Sequence, residues 1–167
     1  MCGATAPGGE FTTARGLRRS PLHDWLAARG AVFATNAGME QPAWFGDAGD
    51  AMSAYRRERA VLETGVALID RSGDAMLRLH GPGADAAMRA LCGVSFDGAK
   101  PARVLAPMLD AAGGVQALPW ALRGGDGSWI LLASPDAERR LESWIRRHAP
   151  RDNAWTLDDI GADHALI

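Results

Sequence analysis

The chain has 167 residues, 47% of them apolar, which is enough for one cored domain or for a domain and a fragment of a second. Its net charge of −2 is spread without long blocks of one sign, so it lacks the basic footprint of a nucleic-acid or membrane-surface binder. The longest apolar runs, such as "WILLA" and "VALI", are far shorter than the ~20 residues a bilayer-crossing helix needs. Cys2 and Cys92 lie far apart, which suits neither a disulfide framework nor zinc spacing and points to a reducing, cytoplasmic setting. Lys100 is the only lysine among many arginines, a composition that suggests a GC-rich bacterial genome.

Residues 1–17 lack the apolar core of a secretory signal and read as a flexible lead-in or linker, with one domain over 18–167. Ser20 and Pro21 predict a helix start, with Leu22, Trp25, Leu26 and Arg29 on one stripe and Gly30 as the stop. "AVFA" then reads as a short strand, and Thr35 to Asp50 as a loop holding Trp44 and Phe45. Asp50 caps a second helix that Gly65 ends. "VALID" and "AMLRLHG" are β-like around the turn "RSGD". A helix over "GPGADAAMRALCG" carries a stripe of Ala84, Ala87, Met88 and Leu91. "RVLAPMLD", "GVQALPWALR" and "WILLA" predict three strands separated by Gly-rich turns. Ser134-Pro135 opens a last helix with Ala137, Leu141, Trp144, Ile145 and His148 on one face, acidic at its start and basic at its end. "AWTL" and "HALI" read as final strands. Hairpins and helices mix without strict alternation, so the predicted class is α+β, with a largely antiparallel sheet and about four helices.

Little of the chemistry declares itself. Adjacent helical residues point ~100° apart, so His23-Asp24 reads as the front of a helix and not as a catalytic pair. His80, His148 and His164 also stand singly, and no metal-ligand spacing appears. His148 reads as a core or helix-end histidine. "GPGADA" lacks the dinucleotide and P-loop patterns and reads as a packing turn. No nucleophile elbow is present. Glu58 has Tyr55, Val61 and Leu62 around it at helical spacing, which predicts a partly buried acid paired with Arg57 or Arg71. Trp44 and Phe45 in "QPAWF" could stack on a planar ligand, but a lid on a small core is the commoner use.

Four stretches go further as a set: "SPLHDWLAARGAVF", "GMEQPAWF", "YRRERAVLETGVALIDRS" and "LRLHGPGADAAMRAL". Their order and spacing, from about Arg18 to Ile167, resemble the folate-binding region of the glycine-cleavage T-protein (aminomethyltransferase) superfamily. In flavour they are nearest to the folate domains of dimethylglycine dehydrogenase and the sarcosine oxidase alpha subunit. The resemblance implies tetrahydrofolate as cofactor and one-carbon transfer from a methylated amine or amino acid. A family carboxylate near the folate nitrogens would steer the proton and support positive charge.

The resemblance places folate-pocket positions at Leu105, Ala117 and Pro119. There the chain departs from the pattern. Leu105 stands where the family usually has Tyr. Gln116, Ala117 and Leu118 follow the "GGV" turn where it has an acidic residue or pair, so no catalytic residue carries over. Gly73-Asp74 replaces bulkier side chains after Asp70. In relatives the strand at "DHALI" runs on into a second half of the pocket. The expected partners are therefore that second half, or a chain supplying it, and a flavin-dependent dehydrogenase or oxidase module. Two other readings stand beside this one. One is a non-catalytic assembly subunit that kept the fold. The other is a tetrahydrofolate-dependent demethylase of O- or S-methyl substrates that uses different catalytic residues.

Overall fold

The computed structural model describes residues 15–46, 50–94, 96, 103–151 and 154–167. Most of the predicted lead-in therefore lies outside the described residues. The chain falls into two compact units, 1–73 with 162–167 and 74–161. Secondary structure is α+β, as expected; among the described residues there are four α-helices and sheets that are antiparallel except for one short parallel pairing.

The first unit is built on a three-stranded sheet of order β1-β3-β2, with β1 Arg18–Arg19, β2 Ala31–Asn36 and β3 Met39–Phe45. The predicted loop from Thr35 is thus largely a hairpin, and Trp44 and Phe45 are strand residues. The turn Ala37-Gly38 has positive φ at both positions, the geometry that matches strand twist; Gly38 adopts it freely. Pro42 within β3 cannot donate to a ladder. It is accommodated by a register shift that pairs Phe33 with Pro42 and Val32 with Trp44, leaving Ala43 unopposed.

Helix α1 is short, His23–Ala27. It starts later than the predicted Ser20 cap and Pro21 first position: Leu22 is the N-cap, while Ser20 makes the preceding turn, accepting the Leu22 N–H on its hydroxyl and the His23 N–H on its carbonyl. Of the predicted stripe only Leu26 is buried, while Trp25 is exposed beneath the Arg29 guanidinium. Helix α2, Ala51–Thr64, has the expected ends: Asp50 accepts the Ser53 N–H at 3.1 Å, and Gly65 donates to Val61. Arg57 and Glu58 clamp the two backbone groups of Phe45, which fixes α2 to the end of β3.

Two predicted strands are absent. "VALID" forms neither helix nor strand and is largely exposed. "HALI" is not a strand either, although Leu166 accepts the Arg71 N–H and donates to Ser72 Oγ. Strand composition needs a partner edge to become a strand, and among the described residues neither segment has a ladder.

The second unit holds a five-stranded antiparallel sheet of order β10-β4-β9-β8-β5. Its strands are β4 Ala75–His80, β5 Arg103–Leu105, β8 Trp120–Arg123, β9 Trp129–Ala133 and β10 Thr156–Asp159. The last lies two residues beyond the predicted "AWTL". Helices α3 Ala84–Leu91 and α4 Glu138–His148 supply Ala84, Ala87, Met88, Leu91, Leu141 and Ile145 to one core with Leu77, Leu79, Trp129 and Leu131. Pro135 begins a 3-10 turn just before α4, where its missing N–H costs nothing. The GPG segment is a packing turn: Gly81 has φ +106°, and a Cβ there would meet the Ala154 carbonyl at 2.5 Å. Asp85, in the first turn of α3, accepts the indole N–H of buried Trp129 at 2.8 Å and an Arg123 guanidinium N–H.

Candidate functional site

Two strands predicted as continuous are each broken by a proline. "RVLAPMLD" splits into β5 and β6 (Met108–Leu109) around Pro107, and "GVQALPWALR" into β7 (Val115–Ala117) and β8 around Pro119. A proline gives no ladder N–H, so the pairing steps from one sheet to another at these points. The two broken strands still run side by side. Leu105 pairs with Trp120, the Ala106 N–H donates to the Pro119 carbonyl at 2.9 Å, and Met108 pairs with Ala117. The three positions singled out in the sequence therefore share one antiparallel strip. Leu105 is exposed with Leu118 and Trp120, and Arg103 lies over the Trp120 ring. Ala117 and Pro119 are buried.

The strip is bordered by a carboxylate that the sequence reading passed over. Gln116 Nε2 donates to Asp110 Oδ2 at 2.7 Å, while Asp110 Oδ1 accepts the N–H groups of Ala112 (2.9 Å) and Gly114 (2.8 Å). The Gly114 N–H, then the Gln116 amide and the Ala112 N–H, hold Asp110 below the ordinary carboxylate range. At neutral pH it is an ionised turn-former with both oxygens engaged. An Asp three residues ahead of a Gly-Gly pair was the available signal. Asp110 and Leu109 also border a cleft of about 440 Å³ between α3 and α4, whose far wall is Trp144 stacked on His148 at 3.9 Å. His148, predicted on the apolar face, is exposed. It sits at the helix C-terminus, where the stack uses its ring.

In the first unit the acid that matters is Glu40, not Glu58. Glu58 is exposed, and its carboxylate takes the Phe45 N–H at 3.1 Å in place of the expected arginine. Glu40 is buried. It accepts Arg15 Nε at 2.7 Å and meets His23 Nε2 at 2.8 Å, and the His23 ring stacks on Phe33 at 4.2 Å. Burial pushes the Glu40 carboxyl upward, but the hydrogen bonds and charges of Arg15 and His23 outweigh it and hold the acid below its usual value. His23 Nδ1 does reach Asp24 Oδ1, at 3.2 Å, through an exposed contact. The principal partner of His23 lies on β3, out of reach of sequence spacing.

The Cys92 thiol is pushed up to about 12 by burial, which removes it as a nucleophile at neutral pH. Among the described residues no group of three His, Cys, Asp or Glu is placed to hold a metal ion, and no helix is long and apolar enough to cross a membrane.

Comparison with solved structures finds the glycine cleavage system aminomethyltransferase T from Bartonella henselae, at a TM-score of 0.68 and 18% identity. The match covers 90% of this chain and 38% of that one, so the chain spans well under half the length of this relative. At that identity the likeness establishes the fold. A model of the family described as the GCVT N-terminal domain matches residues 22–167. Nearly the whole described chain lies inside that match, and the chain belongs to the GCVT N-terminal domain family, within the T-protein superfamily.

Proposed function

We propose that the chain forms the first part of a tetrahydrofolate-linked one-carbon transfer protein, acting on a methylated amine or amino acid. The observation that carries this reading is family membership across residues 22–167. The strip around Leu105 adds to it. Exposed Leu105, Leu118 and Trp120 form an apolar wall suited to the flat faces of a pterin and an aminobenzoyl ring. Bound tetrahydrofolate would supply the nitrogens that accept the one-carbon unit. This chain's residues would exclude water and orient the rings. The side chains of Leu105 and Ala117 have no polar atoms, so proton handling falls to groups outside this strip. A second half of the fold would bring those groups, and a flavin-dependent oxidising module would generate the one-carbon donor.

A second reading, a non-catalytic assembly subunit, is favoured by one observation. The residue at the family's acidic position, Ala117, is buried in β7 opposite Met108, and the nearby Asp110 is consumed by its own turn.

Calorimetric titration tests both. Tetrahydrofolate should bind the chain alone with a dissociation constant weaker than about 10 μM, equivalent to about −7 kcal/mol, and should bind more tightly once the rest of the fold is supplied. Tight binding by the chain alone would mean that these residues close a pocket themselves. An assembled complex that neither binds tetrahydrofolate nor transfers a one-carbon unit would establish the assembly-subunit reading.

A further inference from the structure

Residues 138–151, helix α4 and the turn after it, hold five arginines against two glutamates in a chain whose net charge is −2. Arg139, Glu142, Ser143, Arg146, Arg147 and Arg151 line a groove of about 600 Å³ on this helix. Its one carboxylate is already engaged: Glu142 accepts Arg146 Nε at 2.9 Å, and a second Arg146 nitrogen donates to the Leu157 carbonyl at 3.0 Å. The side chains of Arg139, Ser143, Arg147 and Arg151 have no hydrogen-bond or ion-pair partner among the described residues. Arg15, Arg78 and Arg123, by contrast, each meet an acid: Glu40, Asp126 and Asp85.

The helix dipole accounts for part of this charge. Arg146 and Arg147 stand in the last turn, where cations are favoured. It does not account for Arg139, the second residue of α4, where a cation is disfavoured. Arg139, Ser143 and Arg147 are spaced i, i+4, i+8 and so form one row ~12 Å long. The row offers donors: a guanidinium accepts nothing, and Ser143 adds a hydroxyl. A ligand that satisfies it must bring several acceptor oxygens and negative charge. Among the described residues no large apolar side chain lines the groove, so an organic body finds no wall there and the anionic groups themselves carry the recognition. Guanidinium forks match phosphate oxygens bidentately. We propose that this face of α4 is a binding site for a short chain of phosphates, free or carried as the tail of a nucleotide. One such chain would meet Arg139, Ser143 and Arg147 in turn, with Arg151 at the C-terminal end of the groove. The site shares no residue with the strip around Leu105 and stands apart from the folate reading.

Calorimetric titration of the full 167-residue chain with inorganic triphosphate tests the site. At about 50 mM salt the dissociation constant should be tighter than about 100 μM, and it should weaken as salt is raised. Arg139→Gln/Arg147→Gln should weaken binding at least about tenfold. Arg56→Gln/Arg89→Gln removes two exposed arginines elsewhere, with the same change in net charge, and should bind as the wild type does. All four positions are exposed, so unfolding temperatures should not move. If that of the α4 variant does fall, Arg151→Gln, beyond the end of the helix, gives the same reading without touching it. Adenosine triphosphate binding through the same arginines supports the proposal, and its affinity relative to triphosphate tells a nucleotide tail from a free chain. The proposal is overturned if about 1 mM triphosphate gives no binding, if the control pair loses as much affinity as the α4 pair, or if citrate binds as tightly as triphosphate. It is also overturned if phosphatidylglycerol vesicles or single-stranded DNA bind through Arg139 and Arg147 while triphosphate does not, which would make the occupant a membrane or a nucleic acid.

Discussion

Gln116 donates its side-chain amide to Asp110 at 2.7 Å, across the turn that separates β6 from β7. Two backbone N–H groups complete the shell of that carboxylate. Both oxygens of Asp110, which borders the strip of Leu105, Ala117 and Pro119, are thus engaged within its own turn.

Asp110→Ala should loosen this turn without dismantling the sheet. The amides of Ala112 and Gly114 lose their acceptor and should exchange with deuterium faster than in the wild type. Amides of β4 and β9 should keep their rates. Uniform acceleration across the unit would show that Asp110 supports the core and not only the turn.

Restoring an acid at the buried position should be costly. Ala117→Asp places a carboxylate among Met108 and its neighbours with no cation assigned to it, a change worth about 1–3 kcal/mol of destabilisation. Chemical denaturation measures the cost. On the proposed reading, in which a second half completes the pocket, the variant alone should also fail to form methylenetetrahydrofolate; turnover by it would contradict that need.

Glu40 should make the first unit acid-sensitive. Its carboxyl sits below the ordinary 4.5 when folded, so the unfolded chain binds the proton more readily. Its contribution is therefore complete above the unfolded value and is lost as pH falls through the folded one. Glu40→Gln should cost about 1–3 kcal/mol at pH 7, where it weakens hydrogen bonds to Arg15 and His23. The gap between wild type and variant should close as the acid titrates. Urea unfolding at pH 7 and pH 3 reads both values, and an unchanged gap would exclude Glu40 as the titrating group.

Gly81→Ala should destabilise the second unit by about 1–3 kcal/mol. The backbone there has φ +106°, and the new Cβ would fall 2.5 Å from the Ala154 carbonyl oxygen. Gly113→Ala, also at positive φ but with open space around it, is the control and should cost less. Thermal unfolding of the two variants compares strain plus clash with strain alone.

The sequence by itself determined the elements whose signals are local. Asp50 and Gly65 bound α2, the Ala84–Leu91 stripe became the buried face of α3, and the Gly-rich turn before Ser128 joins β8 to β9, because caps, periodicity and positive-φ turns act within a few residues. The ordered motifs from Arg18 onward also placed the family. Tertiary structure decided what depends on partners far along the chain. "VALID" and "HALI" have strand composition without a strand edge to join. Met39–Phe45 became a strand despite Pro42, because β2 supplied a ladder and a register shift absorbed the proline. Glu40 outranked Glu58, since His23 and Arg15 converge on it from 17 and 25 residues away. Asp110 gained its role only when β6 and β7 folded back and delivered Gln116 to it. Backbone preference is a local energy and can be read residue by residue; burial and ion pairing are energies of encounter, fixed only by the fold that brings the groups together.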